Sequence, residues 1–154
     1  MTLHVREIAD ATFEATLLQV LTEGGFDPTR EGNTVCLRGV GVTHQDQSVN
    51  VEMRLLEMDG HRVLSLQAPI GAEPAAFEHA SLACVRGSGA CQLAKIDLVE
   101  IPEPLDPEHS FQLVARFHLF ADHLSAEELR VMLYLFLKEV DEIDNELVAI
   151  MAGN

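Results

Sequence analysis

Residues 111–150 read FQLVARFHLFADHLSAEELRVMLYLFLKEVDEIDNELVAI, and two hydrophobic periods meet inside that stretch. Phe111, Leu113, Ala115, Phe117 and Leu119 recur at every second position, which predicts a strand over 111–120 with one buried face. Leu129, Met132, Leu133, Phe136, Val140, Ile143, Leu147 and Ile150 then recur at steps of three and four. That stripe predicts a helix of about 25 residues, roughly 37 Å long, lying across a sheet. Between the two patterns, Ser125-Ala126-Glu127-Glu128 is a capping box, in which the serine hydroxyl and the Glu128 carboxylate each satisfy an orphan backbone N–H. From Leu129 to Leu137 the helix is apolar nearly all round, because Val131, Tyr134, Leu135 and Leu137 sit off the stripe. The surplus is expected either to lie under another helix or to form an exposed strip for a second subunit or a client.

Upstream of this stretch, Phe13, Leu17, Leu18 and Leu21 have helical spacing before Gly24-Gly25, predicting a helix over 11–23 with Phe26 packed back on its end. Pro28 and Glu31-Gly32-Asn33 read as a turn. Three strands follow. The first, over 34–42, contains Gly39 and Gly41, which suggests a bulge and an edge position. The second carries Val49, Val51, Met53 and Leu55 on one face and Ser48, Asn50, Glu52 and Arg54 on the other. Asp59-Gly60 predicts a tight hairpin into the third, over 62–68, which Pro69 and Gly71 end. Pro74 suits a first helical turn, so a short helix is expected over 75–86 and stopped by Gly87-Ser88-Gly89. A further strand over 91–99 alternates Ala94, Ile96 and Leu98. The acidic Pro102 to Glu108 segment, with three prolines, is expected to close an exposed hairpin end.

The chain has 154 residues, with 10 Lys+Arg against 25 Asp+Glu, a formal charge of −15, and a 47% hydrophobic content. This length and apolar share suit one domain over 1–154 with a real core. So negative a chain repels phosphate backbones and anionic headgroups, so neither nucleic acid nor a membrane is an expected partner. The start MTLHVREIAD is acidic and shows no signal-like apolar run, which leads to an expected cytoplasmic location. Cys36, Cys84 and Cys91 are odd in number and lack CxxC spacing, so reduced thiols are expected rather than disulfides.

The candidate chemistry is sparse. His118 with His123, and His79 with Cys84, are each five positions apart, a spacing that suits neither one helix face nor one strand face, so no metal site is expected. Gly87-Ser88-Gly89 follows a helix and precedes a strand, the reverse of a phosphate loop or nucleophile elbow. Asp141, Glu142, Asp144 and Glu146 continue a helix, so they read as a solvated acidic face rather than a calcium loop. No cofactor and no catalytic group are expected.

The order α-β-β-β-α-β-β-α resembles the type III secretion chaperone fold. Leu17-Leu18-Gln19-Val20-Leu21 ending at Gly24-Gly25-Phe26, and Phe117-His118-Leu119-Phe120 running through Leu124-Ser125-Ala126-Glu127-Glu128-Leu129 into Phe136-Leu137-Lys138-Glu139-Val140-Asp141, look like the YbjN-type family of proposed bacterial sensory-transduction regulators. The resemblance implies an α+β domain with a mostly antiparallel five-stranded sheet and a long C-terminal helix packed on it. It further implies a dimer that binds protein and performs no catalysis, with the middle helix contributing to dimerisation.

The expected function is therefore a non-catalytic protein-binding module, chaperone-like or regulatory. It acts as a homodimer and takes a basic or amphipathic client on apolar strips within an acidic surface. Phe77, Leu82, Val85, Val131, Tyr134 and Leu135 are the candidate partner or dimer residues. The competing expectation is a small enzyme or ligand-binding protein using Glu52, Arg54, Arg116 and His118 on the polar face of the sheet. A pocket gathering them favours the second reading, and a flat solvated face counts against it.

Overall fold

The computed structural model describes residues 4–41, 48–70, 77–101 and 111–151. The chain runs β1 (Val5–Glu7), α1 (Ala11–Glu23), β2 (Pro28–Glu31), β3 (Thr34–Gly41), β4 (Ser48–Met58), β5 (His61–Pro69), α2 (Phe77–Ala90), β6 (Lys95–Glu100), β7 (Phe111–Phe120) and α3 (Ala126–Met151). The strands form one sheet in the order β2-β3-β4-β5-β7-β6, with β1 paired to β4. All of these pairings are antiparallel. Because β7 returns between β5 and β6, those two outer strands run parallel and need a long crossover, which α2 provides.

Alternation sets the two faces. Leu55 stands opposite Leu64 and Leu64 opposite Leu119, while Met53, Leu66 and Phe117 make the neighbouring row. Leu17, Val20 and Leu21 of α1 and Leu129, Leu133, Phe136, Val140 and Ile143 of α3 join these residues in one core cluster, in which Phe117 stacks on Phe136 with ring centroids 6.3 Å apart. The two-residue turn between β4 and β5 has both Asp59 (φ 48°) and Gly60 (φ 85°) in the left-handed region, which matches the twist of the hairpin. The Asp10 carboxylate caps α1 by accepting from Phe13 N–H at 3.1 Å, and the Ser125 hydroxyl accepts from Glu128 N–H at 3.1 Å at the start of α3.

Several expectations are corrected. The sheet has seven strands rather than five, because β1 and β2 also pair. β1 is only three residues long, and β2 is Pro-Thr-Arg-Glu, so neither has room for a visible period. β3 is consequently not an edge: β2 covers it, led by a proline that an edge strand tolerates in first position. The expected irregularity is present as a register shift between Leu37 and Val40. Gly87-Ser88-Gly89 does not stop α2, which continues to Ala90. There the Ser88 hydroxyl accepts from Ile96 N–H at 2.9 Å and donates to Ile96 C=O at 3.2 Å, so the last turn of α2 covers the free edge of β6. The Pro102 to Glu108 segment, Val42, and the Pro74–Ala75 start expected for the middle helix lie outside the described residues, but the β6–β7 hairpin is formed.

The acidic face of α3 is also revised. Asp141 is only 1% exposed. The buried arc of α3, a helix against which α2 packs, is wider than the stripe and includes Leu137 and Asp141, four residues apart on one flank. Glu142 is exposed, and the side chains of Asp144 and Glu146 lie outside the described residues.

Candidate functional site

Two surfaces gather residues with chemical or binding potential. The first follows from the surplus of apolar residues on α3. Leu137 is buried against the rest of the fold, whereas Val131, Tyr134 and Leu135 are exposed, Tyr134 by 57%. Phe120, at the end of β7, is 77% exposed. Leu119, Phe120, Leu124, Val131 and Met132 line a groove of about 570 Å³, with Ser125, Glu127 and Glu128 on its rim. Of the expected partner residues, Val131 is thus in the groove wall, while Tyr134 and Leu135 extend the apolar surface along α3. Phe120 and Leu124 were not anticipated. The available signal was Phe120 itself, an aromatic residue in the polar phase of an alternating strand.

The expected residues of α2 form a separate patch. Leu82 and Val85 are exposed, Val85 by 72%, beside a hollow of about 540 Å³ between α2 and β6. The side chain of Phe77 lies outside the described residues. Cys84, in the wall of that hollow, has its thiol pushed above the usual range by burial and then by Asp97. Burial does the same to Cys36, assisted by Glu31. Both are therefore poor nucleophiles.

The second surface is the open face of the sheet, opposite the core. Strand register sets Glu52, Gln67, Arg116 and Lys95 in one transverse row, and Arg54, Ser65 and His118 in the next. Leu56 and Met58 follow along β4, with Val5 of β1 opposite Met58. Val5, Glu52, Arg54, Leu56, Met58, Ser65, Gln67, Arg116 and His118 enclose a slot of about 370 Å³. All four residues of the competing expectation, Glu52, Arg54, Arg116 and His118, therefore meet in one concavity; the face is not flat there. Val5, Ser65 and Gln67 were missed, because only the pairing of distant strands brings them in.

Charge on this face departs from the chain as a whole. Arg38, Arg54, Lys95 and Arg116, four of the ten Lys and Arg residues, lie on it. Arg38 sits 3.3 Å from Glu31 and Arg54 3.5 Å from Glu52, while Lys95 and Arg116 sit 3.4 and 3.6 Å from Asp97. Arg54 also donates from Nε to Thr34 Oγ1 at 3.2 Å. Arg116 Nε is buried and has no hydrogen-bond partner among the described residues. Desolvation holds His118 below the ordinary imidazole value, Arg116 lowers it further and Asp97 opposes them.

Two further clusters are structural and were not foreseen. Glu139 of α3 accepts from the backbone N–H groups of Gln92, Leu93 and Ala94, at 3.0, 3.0 and 2.6 Å. Arg62 joins Asp10 and Asp122, both at 3.1 Å, with its guanidinium 5.8 Å from the centre of the Phe13 ring. Among the described residues there is no group of three or more His, Cys, Asp or Glu that could hold a metal ion. No described helix is long and apolar enough to cross a membrane.

No protein-family model matches the chain, and no curated protein matches it by sequence. Among solved structures it is similar to YbjN from E. coli, described as a proposed transcription regulator. The TM-score is 0.60 at 14% sequence identity, over 94% of this chain and 96% of that one. With its α+β order, antiparallel sheet and long C-terminal helix, the chain has the fold of YbjN.

Proposed function

We propose that the protein is a non-catalytic binding module, chaperone-like or regulatory, that acts in the cytoplasm as a homodimer on a protein client. The observation that carries this reading is the exposed apolar ridge of Phe120, Val131, Tyr134 and Leu135 beside Glu127 and Glu128. Large apolar side chains left in water on one side of a helix gain by burial against a partner, and aromatic residues are favoured anchors. The two rim carboxylates and a net charge of −15 select a basic amphipathic helix as the occupant. The outer face of α2, with Leu82 and Val85, is assigned to the dimer contact. The description of YbjN as a proposed transcription regulator is compatible with this reading. For so acidic a chain, regulation through a protein partner is physically easier than contact with nucleic acid.

The test separates the two surfaces. Light scattering on the intact chain is expected to give a dimer, which Val85→Glu converts to a monomer with unchanged circular dichroism. A lysine-rich amphipathic helical peptide is expected to bind the wild type and to lose at least tenfold in affinity with Leu135→Glu, while the dimer persists. A strict monomer at high micromolar concentration would remove the dimer assignment, and equal peptide affinity for Leu135→Glu would remove the ridge.

A further inference from the structure

We propose that the slot on the open face of the sheet is a binding site for a small aliphatic monocarboxylate. The chemistry of the slot changes along β4. Glu52, Gln67 and Arg116 stand at one end, Arg54, Ser65 and His118 in the middle, and Leu56, Met58 and Val5 at the other. At about 3.4 Å per residue, Glu52 to Met58 spans roughly 20 Å of strand. A ligand laid along it meets cationic and neutral donors first and apolar side chains afterwards.

The charge count specifies the head group. Arg54 and Arg116 against Glu52 leave the lining with one net positive charge, part of which Asp97 offsets from 3.6 Å beyond Arg116, so a singly charged anion is suited better than a phosphate dianion. Among the described residues Arg116 is paired loosely, 3.6 Å from Asp97, and its buried Nε has no hydrogen-bond partner. A carboxylate accepting from the planar guanidinium would satisfy that donor, in the forked arrangement for which arginine is suited. The Ser65 hydroxyl and the Gln67 amide supply neutral donors in the strand between Arg54 and Arg116. The tail is specified by Leu56, Met58 and Val5, an apolar end that a bare inorganic anion would leave unfilled. A volume of about 370 Å³ falls at the small end of the range for ligand sites. This site is separate from the client ridge on α3, and neither requires the other.

Hexanoate is the probe, titrated calorimetrically into the intact protein. Saturable binding with one site per chain is expected, while hexylamine does not bind. Extended hexanoate is shorter than the slot, so affinity should rise by up to roughly fourfold for each methylene from hexanoate to dodecanoate as the tail reaches the apolar end. Arg116→Gln should weaken hexanoate by about tenfold or more, and Arg116→Lys, which keeps the charge but not the fork, should weaken it too. Arg130→Gln, whose side chain pairs with Glu23 elsewhere, should leave it unchanged. Should Arg116→Gln not fold, amide shift mapping on the wild type decides: hexanoate should move the signals of 52–58, 65–67 and 116–118. Unsaturable binding, shifts confined to α3, or inorganic phosphate binding as tightly as hexanoate would each overturn the proposal.

Discussion

At the scale of single residues, burial determines what His118 does. Its imidazole lies on β7 among Arg116 on the same strand, Asp97 on β6, and Glu52 and Arg54 on β4. Desolvation and Arg116 outweigh Asp97, so the folded protein holds this group below the 6.5 expected when unfolded. The unfolded chain therefore binds more protons just below pH 6.5, and stability rises with pH there. The His118 contribution is intact above 6.5 and declines as pH falls toward the lower folded value. Chemical denaturation from about pH 8 to about pH 5 should show a steeper acid-side loss for the wild type than for His118→Gln. Equal slopes would mean that His118 titrates normally. Sequence reading placed His118 on a polar strand face, but could not see that desolvation there, with Arg116 beside it and Asp97 on the neighbouring strand, shifts its titration.

At the scale of elements, α3 is both the most legible segment and the one whose surroundings were hardest to anticipate. Its cap and its stripe are local, and Ser125, Leu129, Leu133 and Phe136 behave as their spacing predicts. Glu139 binds three consecutive amides in the α2–β6 connection and ties α2 to α3. Its partners lie more than forty positions away, so no local pattern marks it. Glu139→Ala should cost roughly 2 kcal/mol, since it leaves partly buried amides without their charged acceptor. Hydrogen exchange should then be faster at Gln92, Leu93 and Ala94 while the amides of β4 and β5 keep their relative protection. Uniform loss across the sheet would instead indicate that α2 and α3 are coupled to the core by packing alone. Ser88 carries the same lesson: between two glycines it resembles a helix stop, but its hydroxyl occupies both Ile96 backbone groups at the edge of β6.

For the whole molecule, the excess of carboxylates predicts how ionic strength acts on client binding. A field from −15 charges reaches about 30 Å at 0.01 M salt but only about 3 Å at 1 M. Association of a lysine-rich peptide should slow markedly with added salt, while dissociation, governed by the buried Phe120, Val131, Tyr134 and Leu135 contacts, changes little. Stopped-flow measurements at several salt concentrations check this, and a salt-independent association rate would show that charge has no part in recognition. Hexanoate in the slot should depend less on salt, because its binding rests on one close ion pair and on burial of its tail rather than on the net field of the chain.

Most features that rest on residues near one another along the chain are readable in the sequence. These are α1 with its glycine end, the Asp59-Gly60 hairpin, the alternating faces of β4 and β7, and the capped amphipathic α3. Helical and strand periods, caps and turns act over a few residues, so a single chain displays them directly. Only the folded chain reveals the pairing of β1 with β4 and of β2 with β3, the continuation of α2 over the edge of β6 and the burial of Asp141. It also decided that Glu52, Arg54, Arg116 and His118 share one slot, and that Leu137 turns inward while Leu135 stays in water. Apart from the short β2–β3 hairpin and the Ser88–Ile96 contact, which are local but carry no readable period, these depend on strand register or helix packing between residues far apart in the chain, where a shift of one position changes which face a side chain occupies.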